Sequence, residues 1–331
     1  MHIKRKGLFI IIISIATVIS LILAGFFIVR AVGMKHVMDR TDVQLPGRVK
    51  YQDKLYEYND HIITFLIMGI DKGKETIEPY EKDDGGGGQA DALFLAVMNT
   101  EEKTIEIISI NRNAMTDISI YDKDGNYYAT YNAQIALQHG YGDGKEMSCQ
   151  YQLAAVQNLF YNIPIHGYAA VNTNAIPAIN DTVGGVDVLV LEDLTAWDPT
   201  LVKDSQIHLM GESAYWYVKF RDSYIYDSIN MRMTRQKQYL NNFIEAAKHA
   251  AKKNIFVVLD LYREISAQMT TDITPTEILY LTSLLPQYEF DETHFHTVAG
   301  ETVMGEEFEE FYVDEAALLQ MILDIFYIEA E

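Results

Sequence analysis

Residues 62–70, IITFLIMGI, and residues 90–99, ADALFLAVMN, are two runs of strand length in which apolar side chains follow one another almost without a break. A strand with one wet face alternates polar and apolar residues, so unbroken apolar runs suit strands covered on both faces. A third run, KTIEIISIN, occupies residues 103–111, and only Thr100, Glu101 and Glu102 separate it from the second. So short a connection predicts a hairpin, and therefore a sheet that is mixed rather than wholly parallel. A fourth run, GGVDVLVLE, lies at 184–192. Between the third and fourth stand a helical pattern at 147–163, MSCQYQLAAVQNLFYNI, and the segment 174–180. Buried strands alternating with helices predict an α/β layered fold.

Three more helices are expected downstream. Residues 233–253 carry apolar positions at helical spacing, with a polar face rich in Gln, Asn and Lys. Thr274 is followed by Pro275 and Glu277, a capping-box pattern with proline in the first turn. Asp314 is the expected N-cap of a last helix that runs to Tyr327. No internal repeat stands out, and the one low-complexity tract runs from Gly85 to Gly88.

The 331 residues hold 26 basic and 47 acidic side chains, for a net charge of −21. Such a surface repels phosphate backbones, which argues against nucleic acid as a partner. A hydrophobic content of 49% with 22% charged residues belongs to a globular chain. A single cysteine, Cys149, excludes an internal disulfide and a cysteine-based zinc cage, and its apolar helical setting suits packing rather than reactivity.

Residues 7–29, GLFIIIISIATVISLILAGFFIV, carry no charge over 23 positions, enough for a helix to cross a hydrocarbon core of about 30 Å. The run exceeds the apolar region of an ordinary cleaved signal peptide, so it is read as an uncleaved anchor. Lys4, Arg5 and Lys6 precede it, which favours a cytoplasmic N-terminus at the plasma membrane with the rest of the chain outside. The expected organisation is a cytoplasmic tail at 1–6, a transmembrane helix at 7–29, an extracellular stalk at 30–60 and a globular domain at 61–331. The stalk rests on a polar, mixed composition without period and on the Pro46-Gly47 turn. Residues 31–331 alone carry a net charge of −25.

Against that acidity, residues 219–237 hold Lys219, Arg221, Arg232, Arg235 and Lys237. Arg232, Arg235 and Gln236 fall at i, i+3 and i+4 near a helix N-terminus, where guanidinium groups and backbone N–H groups both favour an anion such as phosphate. The alternative is a solvated face whose cations pair with Asp222 and Asp227. Asp71 ends the first apolar run and Asp91 begins the second, so neighbouring strands would bring both carboxylates to one sheet edge, a setting that suits Mg²⁺ beside a phosphate. Arg112 follows the third run directly. Gly85 to Gly88 is not a phosphate loop, because no Gly-Lys-Ser or Gly-Lys-Thr follows. His294 and His296 flank Phe295 without an evident third metal ligand.

Taken in order, Gly69-Ile70-Asp71, QADALFLAVMN, ISINRN, YNAQIALQHGYGDG, IPIHGYAAVN, GGVDVLV, YVKFRD and RMTRQKQ resemble the LytR-CpsA-Psr family. The resemblance runs from about residue 61 into the C-terminal helix and includes the N-terminal span. It implies an α/β/α sandwich around a central mixed sheet, with a lipid tail in an apolar tunnel and a pyrophosphate held by arginines and Mg²⁺. It implies a cell-envelope phosphotransferase that moves a glycan-phosphate from an undecaprenyl pyrophosphate carrier to peptidoglycan or another wall acceptor. Asp71 and Asp91 match the family's Mg²⁺-associated carboxylates. Arg112, Arg221 and Arg232 match its catalytic arginines, and Lys219, Arg235 and Gln236 complete the implied pyrophosphate site, where charge stabilisation and positioning carry the chemistry.

The chain also departs from the family pattern. Gln89-Ala90-Asp91-Ala92 stands for Arg-Ser-Asp-Thr, Arg112-Asn113 for Arg-Asp, and Thr130-Tyr131-Asn132 for Lys-Ile-Asn. Lys219 replaces the first of two nearby arginines, keeping charge without the bidentate fork. Asp227 lies two residues farther from Arg232 than the family's acid. The alternative function is a non-catalytic or regulatory module that binds the carrier without turning it over.

Overall fold

The computed structural model describes residues 24–37, 40, 46–71, 87–121, 126–220, 228–254 and 256–330. Residues 24–37 form helix α1. Strands β1 (Val49–Tyr51), β2 (Lys54–Tyr58), β3 (Ile62–Asp71), β4 (Gln89–Asn99), β5 (Thr104–Ile110), β6 (Met115–Tyr121) and β7 (Tyr127–Gln134) follow. Next come α2 (Glu146–Leu159), β8 (Gly167–Asn172), α3 (Ile176–Thr182), β9 (Val186–Leu189), β10 (Gln206–Leu209), α4 (Glu212–Lys219) and α5 (Ser228–Lys253). The chain ends with α6 (Val257–Ile265), β11 (Met269–Thr271), α7 (Pro275–Leu284), β12 (Phe295–Thr297), β13 (Gly300–Met304), β14 (Glu309–Val313), α8 (Glu315–Phe326) and β15 (Tyr327–Glu329).

The central sheet has six strands in the order β11-β8-β3-β4-β5-β12. β4 and β5 form the expected hairpin and β3 pairs antiparallel with β4, whereas β8 joins β3 and β12 joins β5 in parallel, so the sheet is mixed. The apolar runs sit at its centre for the reason anticipated: both faces are covered. On one face Leu66, Met68, Leu93 and Leu95 pack with Ala155, Val156 and Phe160 of α2 and Leu318, Ile322 and Phe326 of α8 or its end. On the other, Ile63, Phe65, Met98 and Ile107 pack with Tyr280 and Leu284 of α7, with Leu240 and Ile244 of α5 against them. Each wholly buried Leu or Met contributes about 1.5–3 kcal/mol relative to exposure. A third cluster joins β9, β10 and α4 to Tyr239 of α5.

The helix signals held. α7 carries the capping box of Thr274 and Glu277, and the Asp314 side chain accepts from the N–H groups of Ala316 and Ala317 at the start of α8. Two expectations are corrected. GGVDVLVLE does not enter the central sheet: among the described residues β9 pairs with β10 alone, and its burial alternates, since Asp187 and Leu189 face outward. The fourth central strand is β8 instead. Nor are residues 30–60 a free stalk. β1 and β2 form a three-stranded sheet with C-terminal β15, and Val37 of α1 is 1% exposed within the α7-side core.

α1 lies tightly against α7. A Cβ on Gly33 would meet the Thr276 carbonyl oxygen at 2.2 Å, so only glycine allows that approach. Arg30 Nε donates to Ser283 Oγ at 2.9 Å. Arg40 then clasps Glu277 with Nε and Nη2, at 2.8 and 2.9 Å, and reaches Asp272 with Nη1 at 2.9 Å. The tail expected at 1–6 and most of the helix expected at 7–29 lie outside the described residues, among which no helix is long and apolar enough to cross a membrane.

Candidate active site

The site begins with one extra residue in β4. Along β3 and β4, Gly69 pairs with Ala92 but Ile70 pairs with Ala90, so Asp91 is bulged out of the ladder. The effect on side-chain direction is visible in the burial. Leu93, Leu95 and Val97 enter the α2/α8 core on odd numbers, yet Ala90 joins the same core on an even one. Strict alternation would have driven Asp91 into that core, whereas the bulge turns it to the opposite face beside Ala92.

Asp71, at the end of β3, shares the face of Ile67 and Gly69. Lys219 Nζ donates to Asp71 Oδ1 at 3.1 Å and to the Tyr215 hydroxyl at 2.7 Å, Tyr215 lying one helical turn earlier on α4. Burial pulls the Lys219 ammonium down, but the bonds to Tyr215 and Asp71 outweigh it and raise the pKa, so the side chain is charged at neutral pH. Arg112, just past β5, places Nε 2.9 Å from Asp91 Oδ1 and donates through Nη2 to Gln89 Oε1. Gln89 stands opposite Asp71 in the ladder, so the residue that replaces the family's arginine orients the arginine that is present.

Arg232 and Gln236 of α5 reach the same place. Arg232 is 6% exposed and its Nη2 donates to the Asp91 carbonyl at 3.2 Å. Gln236 Nε2 donates to the Val218 carbonyl at 3.1 Å, at the end of α4. Arg235 is drawn elsewhere. It is 1% exposed, its Nε donates to Glu192 Oε1 at 2.6 Å, and its Nη1 and Nη2 donate to the carbonyls of Tyr217 and Phe220. The structure thus separates Arg235 from the group of Asp71, Asp91, Arg112, Lys219, Arg232 and Gln236: its guanidinium fastens the last turn of α4, on which Lys219 rides. Lys237 also points away, donating to the Phe295 carbonyl at 3.3 Å. Arg221 and Asp227 lie outside the described residues.

A cavity of about 160 Å³ opens beside these groups, lined by the polar Asp91, Lys219, Arg232 and Gln236 and by the apolar Phe94, Ile176 and Leu240. The apolar surface continues inward. Ile67, Phe94, Ala96 and Ala169 of the central strands, with Ile244 of α5 and Ile278 and Leu281 of α7, are only partly buried although they lie between two layers. The opposite face of the same strands is dry, with Leu66, Met68, Leu93 and Leu95 between 0% and 1% exposed. An apolar seam of partly buried side chains therefore adjoins the charged mouth on one side of the sheet, with Phe94 and Leu240 common to both.

At that mouth, among the described residues, three cations (Arg112, Lys219 and Arg232) face two carboxylates (Asp71 and Asp91). No cluster of three or more metal-ligating side chains exists among them. Two carboxylates do fit Mg²⁺, which commonly takes one or two carboxylates and completes its shell with substrate phosphate oxygens and water. Elsewhere, His296 Nε2 lies 2.7 Å from Glu106 Oε2 and His294 Nδ1 lies 3.0 Å from Asp291 Oδ1. Cys149 is wholly buried, as its apolar setting anticipated.

Sequence reading overlooked Tyr215 and Glu192, which hold Lys219 and Arg235. The i, i+4 spacing of Tyr215 and Lys219 was a usable signal once α4 was recognised; the reach of Glu192 to Arg235 had none, since it depends on tertiary placement.

A charged mouth on an apolar seam, carried by an α/β/α sandwich, defines a domain suited to an anionic head group that bears an apolar chain. The sequence profile of the LytR_cpsA_psr family matches residues 31–324, and the chain belongs to that family. The polyisoprenyl-teichoic acid–peptidoglycan teichoic acid transferase TagU of Enterococcus faecalis is 26% identical over 280 residues, covering 82% of this chain and 80% of that one. The enzyme of the same name designated TagV, of Bacillus subtilis, is 28% identical over 224 residues, or 66% of this chain, which spans about half of TagV at 51%. The crystal structure of TagV from B. subtilis matches with a TM-score of 0.60 at 24% identity, over 80% of this chain and 95% of that one, and shows the same fold.

Proposed function

We propose that this protein transfers a glycan-phosphate from a polyprenyl pyrophosphate carrier to peptidoglycan or another wall polymer. The observation that carries the reading is the continuity of the charged mouth with the apolar seam, so that one ligand with a pyrophosphate head and a polyprenyl tail would satisfy both. The names of its relatives as polyisoprenyl-linked teichoic acid transferases support the same substrate class. The apolar run at 7–29 would anchor the domain outside the plasma membrane as a single span with a cytoplasmic N-terminus.

Arg112, Lys219 and Arg232 would bear on the pyrophosphate, with Gln236 at the cavity wall and Arg221 as the family's further arginine. Asp71 and Asp91 would hold Mg²⁺, which when bound supplies positive charge to the phosphate oxygens. The acceptor oxygen bonds to the phosphorus that carries the glycan, and the bond from that phosphorus to the bridging oxygen breaks. Polyprenyl monophosphate leaves with the bridging oxygen, and the hydroxyl proton is released to solvent. The residues contribute positioning and charge rather than covalent chemistry, as is general for phosphoryl transfer. Arg112 is already aimed by Gln89 and Asp91, so little reorganisation is needed when charge develops.

The test is to give the full-length protein, in detergent, a labelled polyprenyl-pyrophosphate glycan with Mg²⁺ and to follow polyprenyl monophosphate. Release that falls at least a hundredfold in Arg112→Ala supports the reading. Tight carrier binding with no release, unchanged by Arg112→Ala, would favour the non-catalytic binding module, to which the replacement of a family carboxylate by Asn113 also points.

A further inference from the structure

A second cavity lies on the other side of the Asp91–Arg112 pair. Its volume is about 650 Å³, within the usual range of about 300–1,000 Å³ for ligand pockets. Gln89, Arg112 and Asn113 form its inner wall, and the β13–β14 hairpin overhangs it with Phe308 and its neighbouring glutamates. The two cavities thus share one partition, since Asp91 faces the first and Arg112, its ion-pair partner, faces the second.

We propose that this cleft seats the acceptor, and that it selects a glycan that is uncharged or amino-bearing over an anionic one. The inference rests on the phosphotransferase reading above and adds to it the place and chemical class of the acceptor.

Charge gives the first argument. Glu307, Glu309 and Glu310 line the cleft against Arg112, the single cation among the described residues of its lining, which already faces Asp91 at 2.9 Å. A second pyrophosphate or a phosphate-rich polymer would be repelled there. Surface chemistry gives the second. Phe308 is 67% exposed in the sequence Gly305-Glu306-Glu307-Phe308-Glu309-Glu310, an aromatic face ringed by carboxylates. That combination matches a sugar ring, whose C–H face packs on an aromatic while its hydroxyl, amide or ammonium donors meet carboxylates.

The third argument is a buried acceptor. Asn113 is 3% exposed, lines the cleft, and its Oδ1 has no hydrogen-bond donor. Its backbone is fixed, because its N–H donates to Asn111 Oδ1 at 2.9 Å and its carbonyl accepts from Phe311 N–H at 3.0 Å. A buried oxygen left without a donor is costly; this one is closed to solvent, and once the amide turns toward the cleft a ligand hydroxyl supplies the donor. Because Asn113 follows Arg112, a hydroxyl held there lies next to the groups that would meet the phosphorus. An amide cannot take the proton, so Asn113 is a positioning residue. The cleft is preformed, since Gln134 Nε2 donates to the Glu309 carbonyl at 2.7 Å and the Asn113–Phe311 bond ties the hairpin to the strand after Arg112.

The experiment titrates the full-length protein in detergent, without carrier, with three probes: a chito-oligosaccharide, its de-N-acetylated form and its carboxymethylated form. Transfer kinetics with carrier and Mg²⁺ follow in parallel. We expect the first two probes to bind at least tenfold more tightly than the third. Phe308→Ala should weaken them tenfold, and Glu307→Lys with Glu310→Lys should reverse the preference. Asn113→Leu should raise KM for the acceptor about tenfold with the carrier Kd unchanged, and Asn113→Asp should restore it. Equal binding of all three probes, or wild-type affinity and KM in Phe308→Ala and Asn113→Leu, would overturn the assignment. Carrier affinity is measured separately, so a failure of the phosphotransferase reading is seen as loss of carrier binding and is not confused with failure of the glycan titration.

Discussion

Arg235 Nε lies 2.6 Å from Glu192 Oε1, and the rest of the guanidinium is taken up by two main-chain carbonyls at the end of α4. Arg232, one turn earlier on α5, instead faces the cavity beside Asp91. Two arginines one turn apart on one helix therefore have separate surroundings: Arg235 fastens α4, and Arg232 lines the cavity. Removing Arg235 should cost about 2–5 kcal/mol, since it takes the donors from two main-chain carbonyls while the freed Glu192 keeps access to water. Arg232→Ala should cost about 1–2 kcal/mol of stability and lower carrier affinity at least tenfold. Chemical denaturation and carrier titration on both variants check the contrast; equal destabilisation would contradict it.

Lys219 neutralises Asp71 at 3.1 Å. Replacing it by Met leaves the Asp71 carboxylate without that cation, so Mg²⁺ affinity should rise severalfold while carrier affinity measured without metal falls. Calorimetric titration of each ligand reads the two effects independently. Lys219→Arg should keep carrier affinity within a few-fold, since the charge is retained.

Burial, and then the positive charge of Arg40, hold the His166 imidazole down to about 4. Its Nδ1 accepts from Thr64 N–H at 3.0 Å, which requires the neutral ring. The unfolded chain binds the proton near pH 6.5, so the folded state loses stability as pH falls from about 6.5 towards 4, by up to about 3 kcal/mol. Unfolding midpoints across that window should show the decline, and His166→Gln should flatten it.

Thr274 and Glu277 cap α7, and Glu277 also receives Arg40 through both carboxylate oxygens. Thr274→Ala should cost about 1 kcal/mol, the ordinary value of a cap. Glu277→Gln should cost more, about 1.5–3 kcal/mol, because it also removes a charge-assisted pair with Arg40 at a carboxylate 2% exposed, leaving Arg40 its ion pair with Asp272. The order of the two midpoints is the measurement.

Leu240 lines the cavity of about 160 Å³ between α5 and the sheet. Leu240→Trp should extend into that space at a cost below the roughly 1–3 kcal/mol of overpacking a filled core. Affinity for a long-chain polyprenyl pyrophosphate should fall more than that for a short-chain analogue. An equal loss for both would mean that the chain does not pass Leu240.

What was legible in the sequence was local. The runs from Ile62 and Ala90 announced two-sided burial, and Thr274, Glu277 and Asp314 announced helix starts that need only near neighbours. β1 and β2 escaped notice because KLYEY is polar, lies at the surface and finds its partner β15 some 270 residues later, a pairing that no local period encodes. In GGVDVLVLE the outward Asp187 and Leu189 marked an alternating ribbon, but the valines dominated the reading. Helical spacing placed Arg232 and Arg235 on one face correctly. Side chains of that length then diverge according to which acceptors lie within reach, and those belong to α4 and Glu192.

The bulge at Asp91 has a consequence for how this site can vary. Regular pairing with every residue kept, a slip of the strand's N-terminal end by one position, would bring the Asp91 carboxylate into the dry layer in place of the Ala90 methyl. Most substitutions near the mouth adjust affinity or rate, but such a slip erases the site and the packing together. The register of β4 upstream of Leu93 is thus under a stricter constraint than the identity of the residues that line the mouth.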